Sequence, residues 1–243
     1  MSALPIFIGY DTREDDAAKV CAHSLESASS RALFVQHLHE PSLRHIGLYT
    51  REWTADGAQK FDVIDGKPFS TSFSFSRFLV PSLMQHRGWA MFVDCDFLFT
   101  ADVARLFEMA DPTKAVMVVK HQMPDQVSEK MDGQRQEPYT RKNWSSLMLW
   151  NCAHPANQRL TPAKVNTMSG QWLHRFSWLD DDQIGDLPQD WNWLAGVQAP
   201  PESGKIPCAI HHTLGVPSMA GHENEPYADL WWTVLNAARQ AGR

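Results

Sequence analysis

A chain of 243 residues, 43% of them hydrophobic, can bury one sizeable core, so a single domain over residues 1–243 is expected. A net charge of −6 with no long Lys/Arg run excludes a nucleic-acid polymer as partner, because polyanion binding needs a basic face. No apolar run approaches the roughly 20 residues of a transmembrane segment. Met1-Ser2-Ala3-Leu4-Pro5 has no basic lead into an apolar stretch. Cys21, Cys95, Cys152 and Cys208 lie too far apart for C-x-x-C metal spacing, and reduced thiols in a cytoplasmic protein are expected.

In chain order, Ile6-Phe7-Ile8 reads as a strand ending at Gly9. Ala17, Cys21, Ser24, Leu25 and Ala28 then recur at helical spacing. Leu33-Phe34-Val35 restarts a strand, and Phe61–Ile64 is a further strand candidate. Phe75, Phe78, Leu79 and Leu83 form a helical stripe with Gly88 as its stop. Trp89–Val93 is continuously apolar, as a strand covered on both faces must be. Thr100 is placed to cap a helix carrying Val103, Leu106 and Phe107, ended before Pro112.

Ala115–Val119 and Leu147–Trp150 predict two more strands. Between them, the polar stretch Gln122–Lys142 predicts a loop or lid. Thr161-Pro162 opens a helix with Val165, Met168 and Trp172, Ile206–His212 predicts a late strand, and a stripe from Tyr227 to Ala238 predicts a final helix. Strands alternating with helices imply an α/β layer fold with a largely parallel sheet.

The chemistry concentrates where the buried Trp89–Val93 run meets Asp94-Cys95-Asp96. Carboxylates at i and i+2 on an extended chain point the same way, and ligands of open α/β sheets bind beyond strand carboxyl ends. Two such charges repel unless a cation lies between them, and a hard divalent ion leaves coordination positions for phosphate oxygens. The spacing alone is weak, since D-x-D arises by chance and Asp180-Asp181-Asp182 repeats it. Strand context favours Asp94/Asp96. A calcium site at Asp180–Asp182 is a weaker reading.

The segment Phe73-Ser74-Phe75-Ser76-Arg77-Phe78-Leu79-Val80-Pro81, then Gly88, then Phe92-Val93-Asp94-Cys95-Asp96, resembles the central block of glycosyltransferase family 8 and its bacterial relatives. Three more blocks agree in order. Ile6-Phe7-Ile8-Gly9-Tyr10-Asp11 is similar to the family's first strand. Asp181-Asp182-Gln183 with Leu187-Pro188 and Trp191-Asn192 is similar to its D-Q segment and L-P-x-x-W-N tail. His211-His212-Thr213-Leu214-Gly215-Val216-Pro217 is similar to its late H-x-x-G motif.

That resemblance implies a GT-A (Rossmann-like) fold: a mixed, mostly parallel sheet flanked by helices. It implies a hexosyltransferase-like enzyme moving sugar from a nucleotide-diphosphate donor, a UDP-sugar by preference, to a carbohydrate or other hydroxyl acceptor, with retention. Asp94, Asp96 and His211 or His212 would bind Mn²⁺ or Mg²⁺; His211 fits if the extra residue falls inside the motif, His212 fits H-x-x-G literally. Arg77 would meet donor phosphate charge, Tyr10 would stack on the base, and Asp11 would bond the nucleoside. Asp182 and Gln183 would serve sugar binding and catalysis. The chain departs from the family at Val216-Pro217-Ser218, which lacks the expected Lys, and at Trp144-Ser145-Ser146, which replaces Asn-x-Gly. A nucleotidyltransferase of related fold is disfavoured because Gly9-Tyr10-Asp11-Thr12-Arg13 has one glycine where a triphosphate-wrapping loop wants several. A non-catalytic sugar- or nucleotide-binding protein is the other alternative.

Overall fold

In the computed structural model, which describes residues 2–121, 129–130, 134–135, 141, 143–201 and 204–242, the chain opens with β1 (Leu4–Tyr10), α1 (Asp15–Ala28), β2 (Leu33–His39) and α2 (Glu40–His45). A small antiparallel sheet of β3 (Trp53–Asp56), β4 (Gln59–Asp62) and β5 (Pro68–Phe69) follows, then α3 (Val80–Leu83), β6 (Trp89–Val93), β7 (Phe97–Phe99), α4 (Ala104–Glu108) and β8 (Val116–Val118). β9 (Glu129–Lys130) and β10 (Gln134–Arg135) pair antiparallel. The remainder comprises β11 (Leu147–Asn151), α5 (Pro162–Thr167), α6 (Gly170–His174), β12 (Ile184–Asp186), β13 (Trp193–Leu194), β14 (Ala209–His211) and α7 (Ala228–Gln240). Most of Gln122–Lys142, the expected loop or lid, lies outside the described residues.

The main sheet runs β12-β8-β11-β6-β1-β2 and is parallel throughout except for β11, the mixed, mostly parallel sheet that was expected. The runs that build it are the apolar ones: Ala90–Val93 and Leu147–Trp150 are solvent-free on both faces. A second sheet, β13-β14-β7, carries its own small core, where Leu98, Trp193 and Ile210 meet Trp231 and Leu235 of α7. The two apolar stripes of α1 join these cores. Ala18, Cys21 and Leu25 enter the first, and Ala17 and Val20 the second.

Several local expectations are corrected. Phe61 belongs to the small sheet and the strand stops at Asp62, leaving Val63 and Ile64 exposed. The stripe Phe75–Leu83 splits into a 3-10 turn, Ser76–Leu79, and α3, because Pro81 has no N–H to continue the ladder. Thr100 does not cap a helix: its hydroxyl bonds the Pro207 carbonyl, and Asp102 accepts from Ala104 N at 2.9 Å instead. Thr161 does cap α5, but Met168 turns extended and the Ser169 hydroxyl starts a separate α6 by accepting from Trp172 N. The late strand shortens to Ala209–His211. β7, β12 and β13, at two or three residues each, were too short to show periodicity.

The small sheet is tied down by charge. Arg51, 2% exposed, donates to both Asp62 oxygens (2.9 and 2.6 Å) and to the carbonyls of Val165 and Met168, with Phe75 beneath its guanidinium. No helix of the described residues is long and apolar enough to cross a membrane. All four cysteines are free and buried.

Candidate metal and donor site

The chain order puts β1 between β2, reached through α1, and β6, which comes later. Such a reversal of strand order opens a crevice beyond the carboxyl ends of the flanking strands. Here the residues beyond those ends are Asp11 and Asp94. Asp94 is held by its backbone, N–H to the Ser146 carbonyl at 2.8 Å, and by Arg77, whose Nη1 lies 2.8 Å from Oδ1. Arg77 is buried, donates to the Ser145 carbonyl at 2.9 Å and is sandwiched between the Phe73 and Phe92 rings at 5.2 and 5.1 Å. It is therefore not an exposed helix arginine; its first partner is Asp94. Trp144-Ser145-Ser146, the departure noted above, supplies two of these carbonyls.

Asp94, Asp96 and His211 bring ligand atoms within 4.8 Å of one another. His211 arrives because β14 pairs antiparallel with β7, setting it opposite Phe97, the residue after Asp96. The Phe97 and His211 rings stack at 4.4 Å. His211 Nε2 is buried, lies 3.3 Å from Asp96 Oδ2, and makes no hydrogen bond. Two carboxylates and an imidazole nitrogen form the mixed oxygen and nitrogen set that Mn²⁺ accepts, so these residues fit such an ion. Of the two adjacent histidines, His211 lies in this cluster and His212 does not. The His212 ring is buried, neither nitrogen has a partner, and burial holds its pKa down to about 4 despite the nearby Asp96. Buried His121 is likewise held to about 4, by burial and by His211.

Glu14, a neighbour of this cluster, was announced by no motif. It is 3% exposed, and Cys95 Sγ donates to it at 2.7 Å. Burial first, then the charge of Asp96, pushes its pKa up to about 8. Between about 4.5 and 8 the folded chain thus keeps a proton that the unfolded chain has lost, so this group makes stability decline as pH rises through that window. Glu14→Gln should remove the decline: the melting temperature of the variant should exceed that of the parent at pH 8 by several degrees and converge with it at pH 4. Parallel melting curves would refute the buried acid. A cleft of about 330 Å³ opens beside Glu14, between Arg13 and Asp16 on one wall and Val216, Ser218 and Met219 on the other.

At the end of β1, the Tyr10 ring lies 5.4 Å from His37 and 5.6 Å from His39, and its hydroxyl donates to Asp15 at 2.9 Å. Asp11 is occupied. It accepts from Arg13 N, Nε and Nη2 and from Ser72 N and Oγ, all within 3.1 Å. Burial would raise its pKa, but these donors outweigh burial and hold the carboxyl well below the usual range. It clamps β1 to the loop that leads to Arg77. Gly9 is required by the same packing: a β-carbon there would lie 2.4 Å from the Phe73 ring. Gly9→Ala should therefore displace Phe73 from beneath Arg77 and cost about 1–3 kcal/mol of stability, measured by denaturant unfolding.

The D-Q block divides in two. Leu187-Pro188 and the following turn deliver Asn192 to His211, Nδ1 to Oδ1 at 2.9 Å. Asp182 and Gln183 do not join the cluster. Strand register sets Ile184 level with Val116, Trp150 and Ala90, four residues before Asp94. The pair thus lies near the opposite end of the sheet, on the order of 15 Å down the strands and three strands across. Their local bonds explain the sequence pattern: Gln183 Oε1 accepts from Asp180 N in a capping box, and Asp181 pairs with Arg141.

No protein-family model matches the chain. Arabidopsis thaliana "Protein CDI" is 45% identical over 228 residues, 93% of this chain and 83% of that protein. Among solved structures, WbbM, described as a bifunctional glycosyltransferase, superposes with a TM-score of 0.64 at 12% identity over 96% of this chain; this chain spans half of its length. Galactosyltransferase LgtC, solved with donor and acceptor sugar analogues, superposes with a TM-score of 0.55 at 11% identity over 96% of both chains. At these identities the likeness is one of fold, and the fold is that of GT-A glycosyltransferases.

Proposed function

This chain belongs to the family of Arabidopsis thaliana Protein CDI, and we propose that it is a glycosyltransferase transferring sugar from a nucleotide-diphosphate donor to a hydroxyl acceptor. The observation that carries the reading is the convergence of Asp94, Asp96 and His211 at a strand-order reversal of a GT-A sheet. The same residues support a divalent ion, Mn²⁺ by preference, as cofactor. When bound, that ion neutralises the charge that develops on a departing diphosphate.

The rest is done by side chains of this chain. Arg77 neutralises Asp94 and holds its carboxylate through the 2.8 Å ion pair. Asn192 orients His211. Tyr10, whose ring lies beside those of His37 and His39, is the platform for the base, and UDP is the carrier favoured by the resemblance to family 8. Asp11 supports the platform through the clamp it makes. Retention is the stereochemical outcome we favour, on the resemblance to family 8, and the anomer of the product, read by NMR, tests it. The four free, buried thiols support a reducing compartment such as the cytoplasm.

The test is a thermal-shift and turnover panel of UDP-, GDP-, CMP- and TDP-sugars with Mn²⁺ and with chelator. A metal-dependent rise in melting temperature and release of nucleotide with one donor are expected. No shift with any donor would favour a non-catalytic relative that has kept the fold.

A further inference from the structure

We infer that Asn192 is the positioning residue that fixes the tautomer of His211, placing the proton on Nδ1 and leaving the Nε2 lone pair toward Asp94 and Asp96. The inference rests on the metal-site reading above for its purpose, though not for its geometry. Asn192 is 0% exposed and ties its own turn to two other segments, the Asn143–Ser146 turn and β14. Its Nδ2 donates to Ser146 Oγ at 2.9 Å and to the Asn143 carbonyl at 3.4 Å, and its Oδ1 lies 2.9 Å from His211 Nδ1.

The orientation of that amide follows from its partners. Ser146 Oγ gives its own proton to the Asn143 carbonyl at 2.7 Å, so toward Asn192 it can only accept. A flipped amide would press its oxygen against the Asn143 carbonyl, and the Ser146 hydroxyl could meet that oxygen only by giving up its 2.7 Å bond to the same carbonyl. The amide oxygen therefore faces His211, and an oxygen there demands a proton on Nδ1. In the neutral ring the other nitrogen is then bare. Nε2 is buried, makes no hydrogen bond, and stands 3.3 Å from a carboxylate oxygen of Asp96. Such an arrangement of acceptors is completed by a cation, and an orienting partner on the far nitrogen is how metal-binding histidines are commonly held.

The direct test is ¹⁵N-detected NMR of the His211 ring in the intact chain at alkaline pH, without metal. Protonated Nδ1 and bare Nε2 are expected; protonated Nε2 overturns the inference, whether or not the protein binds metal. Asn192→Leu should move the proton to Nε2 and weaken Mn²⁺ binding, measured by calorimetry, by about 10–100-fold. Asn192→Asp keeps the acceptor and should keep the Nδ1 proton. An unchanged tautomer in Asn192→Leu, shown folded by its ¹⁵N spectrum, also overturns it. If the parent chain binds no Mn²⁺ while its tautomer is as expected, the metal reading fails and the positioning role stands.

Discussion

Asp96→Asn should abolish Mn²⁺-dependent transfer while leaving the folded chain intact or slightly more stable. The loss should exceed the about 10–100-fold that changes to an orienting partner cost, because Asp96 supplies a ligand atom itself. The stability side follows from its neighbours. Asp96 is the strongest charge acting on buried Glu14 and stands 3.3 Å from the bare nitrogen of His211. Removing one negative charge from that group relieves repulsion when no cation is present. Activity and melting temperature should thus move in opposite directions, as happens where a site is built for a ligand rather than for the empty fold. An Asp96→Asn chain with parental turnover and parental Mn²⁺ affinity would remove the metal site from the account. Asp94→Asn is the less clean experiment, since it also strands Arg77.

Arg77→Met should carry the largest stability cost. The arginine is 6% exposed, pairs with Asp94 at 2.8 Å and is packed between two phenylalanine rings. Deleting it breaks a buried ion pair by removing one partner, which costs about 3–5 kcal/mol. For a chain of this length that is a fall of roughly 6–20 °C in melting temperature. Arg77→Lys should recover part of it, restoring charge without the planar fork that also reaches the Ser145 carbonyl. Mn²⁺ should raise the melting temperature of Arg77→Met more than that of the parent, because the ion supplies the positive charge that Asp94 has lost. Equal shifts in both chains would mean that Arg77 and the metal do not share Asp94.

Much of this was legible in one dimension. Trp89–Val93 declared a strand covered on both faces, and the acidic pair after it declared the end at which a ligand would sit. α1 and α7 were visible because their stripes run for three or more turns. What escaped was short or distant. β7 is three residues long, too brief to show a period, and although the strand holding His211 was expected, its partner was not: the β7–β14 pairing carries His211 to Asp96 across more than a hundred residues of chain. Glu14 escaped because nothing in Thr12-Arg13-Glu14-Asp15 distinguishes a buried acid from a solvated one; its burial comes from Cys95 and Asp96 folding onto it. Asp182 and Gln183 shared a block with Asn192, but strand register separates them from the site and brings Asn192 in.

From composition and patterning, then, came the α/β class, the buried central strand and the acidic turn at its end. These are local properties, set by which side chains can face water and which backbone groups must pair. That His211 rather than His212 clusters with Asp94 and Asp96, that Arg77 pairs with Asp94 and that Asp182 lies apart from that cluster are visible only in three dimensions. Each depends on which strand lies beside which and in what register, and a one-residue difference in register sends a side chain to the other face of the sheet.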